Sequence, residues 1–131
     1  MPATKDPLPL ENKVALTVYH YPPCSTCRNA LAWLAKHKLP VTSIDIVKAP
    51  PSKTLLKKLL KLSGLPLQRF FNTSGELYRD MGLKHKLPTM TEDAALTLLS
   101  KHGKLIKRPL AFSADQVTVG FKEPEFTVTW R

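Results

Sequence analysis

A chain of 131 residues with 43% hydrophobic composition is one domain in length, large enough to build a core without staples. No apolar run nears the roughly 18–20 residues that cross a bilayer, and the opening MPATKDPLPLEN has three prolines and no apolar h-region. The net charge of +10 asks for an anionic partner, but Lys53, Lys57, Lys58 and Lys61 read as one solvated helix face without interleaved aromatics.

Direct nucleic-acid binding is therefore disfavoured; an acidic protein or an oxyanion substrate uses the same charge equally well. Residues 1–12 read as a flexible lead-in and residues 13–131 as a single domain. With no export signal, the expected localisation is cytoplasmic. Monomer is the default for a domain of this kind.

Val14 to His20 is rich in valine and tyrosine, as a buried strand should be, and Pro22 and Pro23 stop it. Cys24 and Cys27 follow, the whole thiol inventory of the chain. From Ser25 to His37 the apolar Ala30, Leu31, Trp33 and Leu34 recur at helical spacing, with Arg28, Asn29 and Lys36 outside. Both sulfurs thus fall where a strand hands over to a helix. Unpaired N–H groups and the macrodipole there favour an anion, and the reactive form of cysteine is the thiolate. Cys27, one turn on from Cys24, is within reach to close a disulfide. Inert buried thiols are the bland alternative. Zinc needs two further ligands, and His20 and His37 lack the paired spacing, so no metal is expected. Arg28 is either solvated or close enough to lower a thiol pKa.

Val41 to Val47 is a second strand, which the intervening helix makes parallel to the first if the two share a sheet. Ser52 opens a second helix whose expected buried stripe is Leu55, Leu56, Leu59, Leu60 and Leu62, with Gly64 at its C-terminal cap. A helical insertion is expected over about 65–106. In it Asn72, Thr73 and Ser74 cap a short helix carrying Leu77, Tyr78 and Met81 and ended by Gly82. Thr91 introduces another, with Glu92 and Asp93 in its first turn, Leu96 and Leu99 inside, Lys101 and His102 in its last, and Gly103 after it. Leu110–Ser113 and Val117–Phe121 make an antiparallel hairpin. No element is assigned beyond Phe121, and Trp130 is expected to cover an edge of the sheet. The expected architecture is α/β, a four-stranded mixed sheet with helices on both faces and a helical insertion.

Three stretches then line up in order: YHYPPCSTCRNALAWL at the first turn, FFNTSGELYRDMGL in the insertion, and KRPLAF followed by VTVGF near the end. On these the chain resembles the arsenate reductase (ArsC) family of thioredoxin-like proteins, and within it the Spx/MgsR branch. The resemblance implies a thioredoxin-like fold and a nucleophilic Cys24. It makes Arg108 a catalytic partner, and Pro109 a cis-proline facing the cysteine. Arg28, Arg108 and Pro109 are the candidate substrate-binding residues. Arsenate-reducing members carry further arginines where this chain has Asn72 and Lys122, and they typically have one cysteine at the turn. Here Cys27 supplies an internal resolving thiol.

The expected function is an arsenate-reductase-like thiol–disulfide redox protein. It needs no bound cofactor and draws on glutathione with glutaredoxin, or on thioredoxin, as reductant. The alternative is an Spx/MgsR-type redox-sensing regulator that binds RNA polymerase.

Overall fold

The computed structural model describes residues 16–131; the lead-in at 1–12 and the start of the first strand, Val14 and Ala15, lie outside the described residues. The chain runs β1 (Leu16–His20), α1 (Ser25–Lys36), β2 (Val41–Asp45), α2 (Lys53–Ser63), α3 (Glu76–Asp80), α4 (Leu83–Lys86), α5 (Glu92–Lys101), β3 (Leu110–Phe112), β4 (Val117–Val119) and α6 (Glu123–Trp130). The strands form one mixed sheet in the order β2-β1-β3-β4. β1 pairs parallel with β2, setting Val18 beside Ser43, and antiparallel with β3, setting Val18 beside Ala111. β3 in turn sets Ala111 beside Thr118 of β4.

The period-2 alternation of the strands divides the core into two layers. Leu16, Val18 and Ala111 face α1 and α6, packing with Ala30, Trp33, Leu34, Phe126 and Trp130. Tyr19, Leu110 and Val119 face the other way, onto Leu56, Leu59 and Leu60 of α2, Leu96 and Leu99 of α5, and the insertion. The expected α/β sheet with helices on both faces is the observed one.

Several local expectations need correction. The second strand stops at Asp45 and not at Val47, because the Asp45 carboxylate accepts the N–H groups of Val47 and Lys48 at 2.9 and 3.1 Å and turns the chain. In α2 the buried stripe is Leu56, Leu59 and Leu60. Leu62 is 39% exposed, since two residues beyond Leu60 is about 200° around the helix. Ser52 and Thr91 do cap α2 and α5, accepting N–H groups from Leu55 and Ala94, and Gly64 ends α2 at φ 66°. The Asn72–Ser74 segment does not cap α3: Gly75 holds that position with no side-chain bond. Gly82 ends α3 at φ 64° and opens the further short helix α4. Gly103 has a steric role: a Cβ there would lie 1.9 Å from the Ile46 carbonyl oxygen, so glycine lets α5 end against the β2 exit.

The tail is the largest departure. Pro124 in the first turn and Glu123 and Glu125 beside the helix N-terminus support α6. Phe126 and Trp130, four residues apart, form its single apolar edge. Trp130 is not an edge cover. It is 3% exposed in the α1/α6 layer, and its indole N–H donates to Thr118 Oγ1 at 3.1 Å. Phe126 packs edge-on to Trp33 and Phe121 at 5.5 and 4.7 Å. Trp130→Ala is expected to lower unfolding stability by about 3–5 kcal/mol, and Thr118→Val, which orphans the indole N–H, by about 1–3 kcal/mol, both read from urea denaturation.

Candidate functional site

The turn after β1 places the two thiols. The Cys24 N–H donates to the Tyr21 carbonyl at 2.9 Å, and the Cys24 carbonyl accepts the Arg28 N–H at 3.1 Å, which starts the helical ladder. Cys24 is therefore the N-cap of α1, with extended backbone (φ −80°, ψ 120°). Its sulfur stands where a serine or aspartate oxygen usually stands, accepting the Cys27 N–H at 3.4 Å. No acidic residue sits in the first turn of α1 to compete for the positive end of the dipole. Cys27, one turn on, is fully buried, and its sulfur accepts the Tyr21 N–H at 3.4 Å. Both thiols are free.

These surroundings push the two thiols apart. Burial opposes ionisation of Cys24, but the Cys27 N–H and thiol, the Arg108 charge and the Thr26 N–H outweigh it, and its pKa lies below the ordinary thiol value. Burial pushes Cys27 up to about 12; the hydrogen bond and charge of Cys24 add to this, against the Tyr21 N–H and Arg108. Cys24 is the half-exposed, ionisable member and Cys27 the sheltered, protonated one.

The rest of the site comes from far along the chain. The insertion is stitched to the segment entering β3 by a bridge between Phe71 and Ile106. The Asn72 N–H donates to Leu105 at 2.7 Å, and the Lys107 N–H to Phe70 at 2.9 Å. That short ladder sets Arg69, Asn72 and Ser74 against Lys107 and Arg108. The exit of β4 closes the third side: Gly120, at φ 83°, donates its N–H to the Pro109 carbonyl at 2.9 Å. The result is an open cleft of about 640 Å³ with Cys24 and Thr26 at one wall. Arg69, Lys107, Arg108 and Lys122 face it against one carboxylate, Glu125. Such a cleft favours an anion.

Arg108 donates through Nη1 to the carbonyls of Lys104 and Ile106 at 3.0 and 3.4 Å, and its Cζ lies 4.8 Å from the centre of the Tyr21 ring. The Arg108–Pro109 peptide is cis, and Pro109 is buried and is not among the cleft-lining residues. Arg28 is exposed, donates to the Pro22 carbonyl at 3.2 Å, and is not among the cleft-lining residues. Arg69, Lys107 and Thr26 escaped the sequence reading, which gave Ser74 only a capping role. Lys107 adjoins Arg108 in the KRPLAF stretch, but Arg69 in LQRFF carries no local signal. Among the described residues no group of three or more His, Cys, Asp or Glu is placed to hold a metal ion. Nor is any helix there long and apolar enough to cross a membrane.

Iodoacetamide titration should find one fast thiol, Cys24, with a pH midpoint below 9.0 that rises in Arg108→Gln. Cys27, with about 10⁻⁵ thiolate at pH 7, should react only near pH 12 or on unfolding. A thiol raised by folding stabilises the fold fully below its unfolded value of 9.0, and that contribution is lost as pH climbs through about 12. Cys24 acts oppositely: its contribution is present above 9.0 and lost as pH falls through the folded value. Wild type should accordingly lose stability relative to Cys27→Ala as pH rises above 9.0.

A family model described as the ArsC family matches residues 19–129, which takes in the cleft and the insertion. Among curated relatives, YusI of Bacillus subtilis is 51% identical, covering 89% of this chain and 99% of that protein. The global transcriptional regulator Spx of Streptococcus pneumoniae is 27% identical, covering 84% and 81%. Among solved structures, an ArsC family related protein from Bacteroides fragilis is 44% identical with a TM-score of 0.85, covering 89% of this chain and 98% of its own. An arsenate reductase from Vibrio cholerae is 28% identical with a TM-score of 0.76, covering 89% and 97%. These likenesses support a thiol redox role and identify the sheet as the thioredoxin-like fold expected from the sequence. With its match running from the end of β1 through nearly all of α6, the chain belongs to the ArsC family.

Proposed function

We propose that this protein is a thiol–disulfide redox enzyme of arsenate reductase type, taking an anionic oxidised substrate at Cys24 and releasing it with Cys27. One observation carries the reading: the thiol whose surroundings favour the anion is the one that faces the cation-lined cleft. The Cys24 thiolate attacks the electrophilic centre of the substrate. With a disulfide it forms a mixed disulfide and expels the first thiolate. With arsenate it displaces an oxygen as water and forms a sulfur–arsenic bond.

Once Cys24 is bonded it no longer bears a charge, so its part in raising Cys27 disappears, leaving burial against the Tyr21 N–H and Arg108. The Cys27 thiolate then attacks Cys24 Sγ. The bond from Cys24 to the substrate breaks with its electron pair on the leaving group, a thiolate in one case and trivalent arsenic in the other. A Cys24–Cys27 disulfide remains, and two electrons from glutathione with glutaredoxin, or from thioredoxin, restore the dithiol. Arg69, Lys107, Arg108 and Lys122 hold the anion and its developing charge. A cytoplasmic setting, where such reductants are abundant, fits this cycle.

A second reading, a redox-sensing regulator that docks on RNA polymerase, is favoured by the likeness to Spx and to the regulatory protein MgsR of Bacillus subtilis, 26% identical. Binding of purified RNA polymerase under reducing but not oxidising conditions, or the reverse, would favour it over the enzyme.

The test is an arsenate reduction assay with the glutathione/glutaredoxin and thioredoxin systems in parallel. Turnover is expected with at least one reductant, and Cys24→Ser should abolish it. Cys27→Ser should accumulate a mixed disulfide visible by mass spectrometry. Lys107→Ala and Arg69→Gln should each raise KM by about tenfold. Full turnover in Cys24→Ser overturns the assignment, and so does no turnover with any reductant.

A further inference from the structure

Tyr21 is the first residue past β1, and it touches each of the three groups on which the site depends. Its carbonyl accepts the Cys24 N–H at 2.9 Å and its N–H donates to Cys27 Sγ at 3.4 Å. Its ring lies against the Arg108 guanidinium, 4.8 Å from Cζ to the ring centre. The first two contacts are main-chain, and any residue other than proline could donate and accept there. The identity of residue 21 therefore matters through the ring. The Tyr21 hydroxyl makes no hydrogen bond among the described residues.

Arg108 needs such a support. Its two hydrogen bonds both leave from Nη1, so they tether one corner of the guanidinium and leave the plane free to pivot. Its Nε is buried without a partner. The guanidinium also stands between two hollows. On one side is the Cys24 cleft. On the other is a pocket of about 320 Å³ lined by Tyr21, Asn72, Glu76, Asp80 and Lys104 as well as by Arg108 itself. Glu76 and Asp80 are four residues apart on α3, hence on one face, and neither carboxylate is paired with a cation among the described residues. A guanidinium free to pivot has two carboxylates to move toward, away from the thiolate it serves. The aromatic face opposes that motion, because a cation over a π system is attracted to it and a planar guanidinium stacks on it. Lys104 Nζ, 5.8 Å from the same ring, adds positive charge to the pocket.

We propose that Tyr21 is a positioning residue for the thiol chemistry, its ring holding the Arg108 guanidinium toward Cys24 and out of the Glu76/Asp80 pocket. This rests on the reading of Cys24 as the nucleophile. It is tested on the thiol itself, so its failure is separable from the absence of arsenate turnover.

The experiment is the pH profile of Cys24 alkylation in full-length variants, with folding followed by circular dichroism. Tyr21→Leu should raise the midpoint by at least half the shift produced by Arg108→Gln. Tyr21→Phe, which keeps the ring, should retain the wild-type midpoint. Tyr21→Leu added to Arg108→Gln should move it no further. Replacing the competitors, in Tyr21→Leu/Glu76→Gln/Asp80→Asn, should return the midpoint toward wild type. Tyr21→Gln provides a second ring-free variant should the leucine variant not fold. A residue that merely packs would alter the urea midpoint and leave the alkylation profile in place. An unchanged profile in a folded ring-free variant overturns the proposal. A shift that persists undiminished in the Arg108→Gln background overturns it too.

Discussion

A helix that begins directly after a strand has N–H groups with no carbonyl to receive them, and something must sit at its N-cap. In this protein that position belongs to a sulfur. The Cys24 side chain receives the Cys27 N–H, and the first turn of α1 holds no carboxylate that would answer the same need. A thiolate satisfies the helix end better than a thiol does, so completing α1 and activating Cys24 are the same event. The partner thiol, one turn deeper, is held neutral by burial first, and its closeness to Cys24 adds to this. Two chemically identical groups three residues apart thus acquire opposite protonation preferences, the condition for one to attack and the other to wait.

The remaining charge is delivered by three stretches distant in sequence. The sheet is the common frame: β1 ends at the thiols, the entry to β3 brings Lys107 and Arg108, and the exit of β4 brings Gly120 and Lys122. The insertion has no strand in that sheet, yet its bridge from Phe71 to Ile106 locks Arg69 and Asn72 in place above the cleft. The thiol pair and the cation-lined cleft are therefore built by different parts of the fold, the first by local helix geometry and the second by long-range pairing.

Electrostatic specificity in such a cleft depends on where cations point as much as on how many there are. Arg108 is bounded by a thiol on one side and by carboxylates on the other, and its main-chain tethers meet at one nitrogen. The aromatic ring at residue 21 supplies the constraint that hydrogen bonds to a single corner cannot.

Much of the fold is legible in the sequence. The apolar runs, Pro22–Pro23 and the Cys-x-x-Cys spacing placed a strand, a stop and a helix start in the right order, because each rests on interactions within a few residues. Ser52, Thr91 and Gly64 were readable for the same reason. Helix α6 was missed although Pro124, Glu123 and Glu125 are start signals, since an apolar edge of two residues in eight falls below what periodicity detects. Leu62 looked like Leu59 and Leu60, but it stands about 200° around the helix from Leu60 and is exposed. Nothing local in the sequence singles out Arg69 or Lys107. Only the pairing of residues 70–72 with 105–107 turns them toward a sulfur at residue 24. By itself the sequence determined the thiol pair, its strand-to-helix setting and the α/β class, all short-range matters of spacing and backbone propensity. The tertiary structure decided which thiol ionises, which cations face it and how the tail closes the second core layer. Burial and Coulomb terms depend on distances through space, and those exist only once the sheet has brought its distant segments together.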